Sequence, residues 1–133
     1  ACKDAGTVAL RESKYALATQ LREAGDAAAA GKLYRELAAE VRTKEGSEAA
    51  YRVIEAIFAE GALDRTEQEV FAFSERDPQP YWLAKAYLLL GEVYVRKGDT
   101  IQARATWQSE ADGYSPADDG IVEEAKARIA KLN

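Results

Sequence analysis

The chain contains no histidine and no methionine, and its 133 residues include one cysteine and three prolines. Without histidine, it lacks the side chain that most often serves as a general base and as a ligand of catalytic metals. A single cysteine excludes a disulfide bond within the chain, and the position of Cys2 in the N-terminal tail indicates an unreactive thiol. The missing initiator methionine indicates a mature form or an excised piece of a longer protein.

Other signatures of enzymes are missing as well. There is no glycine-rich phosphate loop, because the glycines stand apart and each is explained by a turn or a close helix crossing. Among the acidic pairs, Glu123-Glu124 is predicted to lie on a solvated helix face and Asp118-Asp119 to cap a helix, so neither suits acid–base catalysis. We therefore expect no enzyme activity, no cofactor and no metal site.

Charge and hydropathy narrow the range of partners. The net charge is −5 with both signs mixed along the chain, and without a Lys/Arg cluster a nucleic-acid partner is not expected. The longest apolar stretch, residues 81–95, is interrupted by Lys85, Gly91 and Glu92, so no transmembrane segment is predicted. No signal peptide is visible in the sequence.

The composition favours an all-α fold. Apolar residues make up 47% of the chain, and alanine, a strong helix former, supplies much of that share. Prolines are few, and no long alternating run of β-branched residues suggests a strand. Residues 1–133 are enough for a single domain with a core.

The most informative stretch is residues 84–116, which predicts two amphipathic helices joined at Gly98. Gly98 can end the first helix in a left-handed conformation, and Asp99 or Thr100 can cap the second. Gly91 and Ala103 are small where the two helices must cross closely. The landmarks of the stretch, in order, are Tyr87, Leu90, Gly91, Tyr94, Ala103, Trp107 and Pro116.

This spacing resembles the tetratricopeptide repeat (TPR), a helix–turn–helix unit of about 34 residues. Similar residues surround Gly25 and Gly61, and residues 121–132 carry their apolar side chains on one face, as a capping helix does. The resemblance implies a single TPR domain, a right-handed α-α superhelix of three helix pairs. The expected repeats are about 11–44, 47–80 and 84–117, with a capping helix at about 119–132.

Finer boundaries can also be predicted. Thr7 could cap a first helix that runs to about residue 24, and a second helix follows over residues 27–42. Short connectors are expected at residues 44–46 and 77–80, where Pro80 biases Gln79 away from helix. In the middle unit, Ile54 and Thr66 replace smaller residues, so its two helices should be spaced more widely.

In TPR proteins the first helix of each pair lines a concave groove that binds other polypeptides. Register assigns twelve residues to this groove: Glu12, Tyr15, Thr19, Arg22, Glu48, Tyr51, Glu55, Phe58, Lys85, Leu88, Glu92 and Val95. An aromatic and aliphatic stripe flanked by mostly acidic residues would suit a segment with apolar anchors and positive charge. Alternatively, Tyr15, Tyr51 and Phe58 pack between neighbouring helix pairs.

Two TPR subclasses bear on the expected mode of binding and on the expected cellular setting. One subclass grips a C-terminal carboxylate with Lys and Asn, but Glu55 and Glu92 stand where Asn would be expected, so that mode is not expected here. Residues 81–132 resemble TPR domains of the bacterial cell envelope, of the Tol-Pal or outer-membrane assembly type, through residues 112–116 and 123–128. This implies a periplasmic or membrane-associated adaptor, with a cytoplasmic scaffold as the alternative.

A second class of function remains open. The chain could be a structural segment of a longer TPR scaffold, which docks on its own chain or on a homodimer partner. One residue is out of pattern in either case, because Glu110 occupies the core-facing register of Leu37 and Phe73. Either Lys126 or Arg128 pairs with it, or the last turn twists so that Ala111 takes its place; we favour the twist.

Overall fold

The computed structural model describes residues 2–116 and 118–132, with side chains from residue 5 onward. These residues form only α-helices, one 3₁₀ turn at Ala38–Glu40 and connecting turns, which confirms the all-α class. The α-helices are α1 (Cys2–Glu23), α2 (Ala27–Leu37), α3 (Lys44–Ala59), α4 (Leu63–Ser74), α5 (Pro80–Arg96), α6 (Thr100–Gly113) and α7 (Ile121–Leu132). The Cys2 thiol and residues Ala1, Ala117 and Asn133 lie outside the described part.

The turns within the three helix pairs follow the predicted chemistry. Gly25, Gly61 and Gly98 have φ values of 87°, 84° and 81°, a left-handed conformation in which a side chain would be strained. Asp26 and Asp99 then cap the next helix by accepting hydrogen bonds from the backbone N–H groups of Ala29 and Gln102. Asp99, rather than Thr100, therefore caps α6, which begins at Thr100.

Three predicted boundaries were wrong. Helix α1 already begins at Cys2, so Thr7 lies inside the helix and does not cap it. Helix α2 ends at Leu37, and the 3₁₀ turn replaces the last predicted turns. Residues 44–46 form the first turn of α3, because the side-chain oxygen of Thr43 accepts a hydrogen bond from Gly46 N at 3.0 Å and starts the helix there.

The helices form a repeat-like arrangement. Each helix packs on the one that follows it, and the odd-numbered helices also pack side by side, α1 on α3, α3 on α5 and α5 on α7. Helix α7 contacts both α5 and α6, so it covers the last pair, as predicted for a capping helix. Tertiary packing of amphipathic faces, more than intrinsic propensity, stabilises helices of this length.

Hydrogen bonds between two connectors fix successive pairs to each other. The buried hydroxyl of Ser47 donates to the Val41 carbonyl oxygen and accepts from Gln79 N at 2.8 Å. The Gln79 side-chain amide donates to the Arg42 carbonyl oxygen at 2.7 Å. As predicted, Gln79 is extended before Pro80, the first residue of α5. These bonds anchor the start of α5 beside the start of α3.

Two hydrophobic cores lie along the helices. The smaller one is built from Ala18, Ala30, Tyr34, Leu37 and Ala49, and the larger one spans α3 to α7. In the larger core, Trp107 Nε1 donates to the Leu88 carbonyl oxygen at 3.0 Å. The indole also lies directly on Gly91, where an added Cβ would be 2.1 Å from Nε1. This confirms the predicted close crossing of α5 and α6.

Candidate functional site

Three surface cavities follow the side of the molecule on which the odd-numbered helices lie together. The first, of about 460 Å³, lies between α1, α3 and the start of α5. The second, of about 260 Å³, lies between α3, α5 and α7, and the third, of about 290 Å³, between α5, α6 and α7. We call the residues lining these three cavities the odd-helix face.

Eight of the twelve residues assigned to the groove by register line this face. Glu12, Tyr15 and Glu48 line the first cavity; Tyr51, Lys85 and Leu88 line the second; Glu92 and Val95 line the third. The other four, Thr19, Arg22, Glu55 and Phe58, line none of these cavities. Eight of the residues assigned by register therefore lie on one surface that spans the three helix pairs, and four do not.

The depth of these residues differs. Glu48, Tyr51 and Leu88 are buried, and Tyr51 and Leu88 belong to the larger core. Tyr51 thus packs between neighbouring helices, as the alternative interpretation describes, and this burial raises its pKa to about 12, with the nearby Glu55 charge adding to the shift. Contact with a ligand would fall to the more accessible side chains, of which Glu12 is exposed and Tyr15 and Lys85 are partly buried.

A network of hydrogen bonds links α1 to α3 beneath the first cavity. Tyr15 Oη donates to Glu48 Oε1 at 2.6 Å, and this bond raises the pKa of Tyr15. On the other oxygen, Arg52 donates to Glu48 Oε2 from two nitrogens, each at 3.2 Å. Arg52 also donates to Glu55 Oε1 at 3.1 Å. The buried charge of Glu48 is therefore compensated, as a buried carboxylate requires.

An aromatic cluster separates the first cavity from the second. The Trp82 ring lies 5.6 Å from the Tyr51 ring and 5.0 Å from the Tyr81 ring, which it meets edge-on. The Arg52 guanidinium lies 5.6 Å from the Tyr51 ring centre and 5.7 Å from that of Trp82. Lys85 Nζ lies 6.0 Å from the Tyr51 ring centre. The face thus presents rings bordered by cations.

The capping helix supplies the charge at the third cavity. Arg128 Nη1 donates to Glu92 Oε1 at 2.7 Å, and Arg128 Nε donates to Glu124 Oε1 at 3.0 Å. The Arg128 guanidinium also lies 5.9 Å from the Trp107 ring centre. Glu92 is therefore neutralised from α7.

Two of the remaining assigned residues, Arg22 and Phe58, have other local partners. Arg22 Nε donates to Tyr34 Oη at 3.1 Å and so ties the end of α1 to α2. The Phe58 ring is covered by the Arg96 guanidinium, 4.2 Å from the ring centre. Thr19 is partly buried within α1. Arg22 and Phe58 are therefore engaged in contacts outside the three cavities.

The sequence pattern did not predict three contributors to this surface: Arg52, which neutralises Glu48 from below the lining, and Trp82 and Arg128, which line the face. A signal for Arg52 was present, because it lies four residues after Glu48 and three before Glu55, the spacings at which helical ion pairs form. Trp82 is one helical turn before Lys85, on the same side of α5. Arg128 and Glu92 are 36 residues apart in the sequence, and no local pattern predicts an ion pair over that separation.

Glu110 lies in a separate place, between α6 and α5. Helix α6 stays regular to Gly113, and Ala111 packs against the larger core without moving Glu110 into water. Neither Lys126 nor Arg128 pairs with it, so both predicted arrangements were wrong. Glu110 Oε2 is buried and has no hydrogen-bond partner. Burial alone raises the pKa of this carboxyl from 4.5 to about 7.

Replacing Glu110 by Gln is expected to raise the free energy of unfolding by about 2 kcal/mol at about pH 8, less than the full pKa shift would give because solvent screens this partly exposed carboxyl, and to change it little at about pH 4. The folded state holds a proton that the unfolded chain releases above its ordinary pKa of 4.5. The cost of ionising Glu110 therefore grows as the pH rises towards 7, whereas Gln stays neutral. Urea unfolding at the two pH values measures the difference. An equal effect at both would contradict the buried ionisable group.

Among residues 2–116 and 118–132, no three His, Cys, Asp or Glu side chains are grouped so that they could hold a metal ion. None of the described helices has the length and apolar character needed to cross a membrane. Compared with known protein families, curated proteins and solved structures, the chain shows no significant match.

Proposed function

We propose that the chain is a non-enzymatic protein-interaction module, a TPR adaptor that binds a peptide or protein segment on its odd-helix face. The observation that supports this is the row of three cavities on one side of neighbouring helix pairs. Such a row suits a ligand with several spaced side chains better than a small molecule. The proposal includes a specific fold, in which the three helix pairs form a right-handed TPR superhelix.

The lining indicates the chemistry of the ligand. Arg52 pairs with Glu48 and Arg128 pairs with Glu92, and Lys44, Lys85 and Lys131 also line the face, so the face carries both signs of charge beside its aromatic rings. A segment with apolar anchors and mixed charge, rather than a strongly basic one, fits this lining best. Its affinity should then depend only moderately on salt. A setting in a bacterial envelope assembly, periplasmic or membrane-associated, rests on the resemblance of residues 81–132; a cytoplasmic scaffold is the alternative.

One observation favours the second candidate, a structural segment of a longer scaffold or of a homodimer. Leu17 of α1 and Leu90 of α5 occupy the same register, eight residues before Gly25 and Gly98. Leu90 is 2% exposed in the larger core, whereas Leu17 is 47% exposed. In α1 this apolar position is open to a further helix, and burying a Leu side chain contributes roughly 1.5–3 kcal/mol.

The odd-helix face can be tested with peptides selected from a random display library against the whole chain. We expect selected peptides to carry two or more apolar anchors and to lose at least about tenfold in affinity for a Glu12→Lys, Lys85→Glu double variant. Both residues line the face without belonging to its core. The double change leaves the net charge as it was, so a loss reports local chemistry.

The matched control is Lys32→Glu with Glu60→Lys, two exposed residues that line none of the three cavities. Binding to this control should equal binding to the wild type. An equal loss of affinity in both variants would mean that the peptides respond to the overall distribution of charge and do not bind the odd-helix face. The structural-segment candidate is favoured by a different result: no peptide is enriched, and sedimentation shows a dimer that dissociates in the Leu17→Lys variant.

A further inference from the structure

Helices α4 and α6 leave a cleft between them. Each packs on α5 but not on the other, and the space between them has a volume of about 360 Å³. Tyr87, Leu90 and Tyr94 of α5 line it, together with Phe71 from α4 and Glu110 from α6. None of these residues lines the odd-helix face. The cleft is therefore a separate surface, and what it binds does not depend on the proposed function.

The Glu110 carboxylate in this cleft lacks a counter-ion. Its Oε2 is buried without a hydrogen-bond partner, and two basic groups of neighbouring elements are engaged elsewhere. Lys97, which follows α5, is held by Asp64 and Glu67 of α4, and Arg128 of α7 is held by Glu92 and Glu124. An unpaired buried carboxylate is costly, which marks the position as one that a cation from outside would stabilise.

The other titratable groups around Glu110 do not supply a positive charge. Tyr94 Oη donates to Glu67 Oε2 at 2.5 Å, and this bond lowers the pKa of Glu67. Tyr114 donates to Asp119, and burial raises its pKa above the ordinary value. Tyr87 lines the cleft itself. Tyr94 and Tyr114 thus donate to carboxylates other than Glu110, so neither satisfies it.

The aromatic lining narrows the kind of cation. Phe71 is 45% exposed, and both Phe71 and Tyr87 line the cleft. Aromatic ring faces attract organic cations, which are weakly hydrated and can contact a ring and a carboxylate together. A divalent metal would require several oxygen ligands, whereas only one carboxylate lines this cleft. A neutral apolar ligand would leave Glu110 unpaired.

We propose that the cleft between α4 and α6 binds an organic cation, an alkylammonium or guanidinium group, with Glu110 as its counter-ion and Phe71 and Tyr87 as its aromatic walls. The group could come from a Lys or Arg side chain of a polypeptide or from a free amine. In both cases the ammonium or guanidinium donates hydrogen bonds to the ionised carboxylate. Binding therefore requires Glu110 without its proton and should weaken as the pH falls.

The test is an NMR titration of the ¹⁵N-labelled chain with n-butylammonium chloride at about pH 8, following the amide signals of Gln102, Ser109 and Glu110. We expect these signals to move in the wild type and the affinity to fall about tenfold or more in Glu110→Gln. Phe71→Ala should weaken binding as well. Glu123→Gln, which removes the same charge from an exposed site on α7, should bind as the wild type does.

Glu110→Gln removes a buried charge, so this variant should remain folded, and its amide spectrum checks that directly. Equal affinity of Glu110→Gln and wild type, or no movement of the cleft signals in the wild type, would overturn the proposal. Sodium chloride at equal ionic strength must not reproduce the shifts. A capped tripeptide with a central Lys then separates the two sources: tighter binding than butylammonium assigns the cleft to a polypeptide side chain, and equal binding assigns it to a free amine.

Discussion

Gly46→Ala is expected to lower the free energy of unfolding by about 3 kcal/mol, because the backbone leaves no space for a methyl group there. An added Cβ would lie 1.8 Å from the Glu40 carbonyl oxygen and 3.0 Å from that of Leu37. Both oxygens belong to the main chain at the end of α2 and in the 3₁₀ turn, so relief requires moving a whole segment. A flexible side chain in the same place could rotate away from the added methyl group, but a main-chain carbonyl group cannot.

Urea unfolding followed by circular dichroism measures this effect, and Gly6→Ala is the matched control. Gly6 also lies inside a helix, but nothing is within 4 Å of the position of its missing Cβ. There the change should stabilise the chain by about 0.5–1 kcal/mol, since alanine orders a helix at lower entropic cost. A cost below about 0.5 kcal/mol for Gly46→Ala would contradict the contact between the 3₁₀ turn and α3.

This contact also bears on the odd-helix face. Gly46 is in the first turn of α3, next to Ser47, which bonds the two connectors, and Glu48, which lines the first cavity. A shift of that turn would move Tyr15 and Arg52 through their bonds to Glu48. Folded fractions of Gly46→Ala should therefore lose binding of the selected peptides more than their residual stability alone would explain.

Much of the fold could be predicted because its signals are local. A glycine with positive φ followed by an aspartate is turn chemistry within three residues, and Gly25-Asp26 and Gly98-Asp99 carry it. The connector predicted at residues 44–46 was wrong although Thr43 is a good capping residue, because Gly46 suggested a turn. Its actual role is close approach to Glu40, and only tertiary packing shows that.

The candidate site was predictable to a similar degree and for similar reasons. Helical periodicity placed Tyr15, Tyr51 and Leu88 in corresponding positions, and it also identified Glu110 as out of pattern. Periodicity does not tell which acidic residues are neutralised, since Arg128 reaches Glu92 from another helix. Nor does it tell that Glu110 has no partner, which depends on where every nearby cation is held.

The three helix pairs fill their crossing points with complementary volumes. Corresponding positions hold Ala18 with Tyr34 in the first pair, Ile54 with Val70 in the second, and Gly91 with Trp107 in the third. All six are buried. The wider spacing predicted for the second pair rested on Ile54 and Thr66 alone. The smaller Val70 offers another way to accommodate Ile54, because close packing conserves volume more strictly than residue type.

This complementarity predicts that the residue combination found at one helix crossing can replace the combination found at another. Gly91→Ile alone should cost about 3 kcal/mol, because its Cβ would be 2.1 Å from Trp107 Nε1. Trp107→Val alone should cost about 3 kcal/mol, because it leaves a cavity and frees the Leu88 carbonyl oxygen. Together they recreate the Ile54 and Val70 pair, and we expect the double variant to cost about 2–3 kcal/mol less than the sum. Urea unfolding of all four proteins completes the cycle. Additive costs would show that the helix spacing, and not the shared volume, decides which residues each crossing accepts.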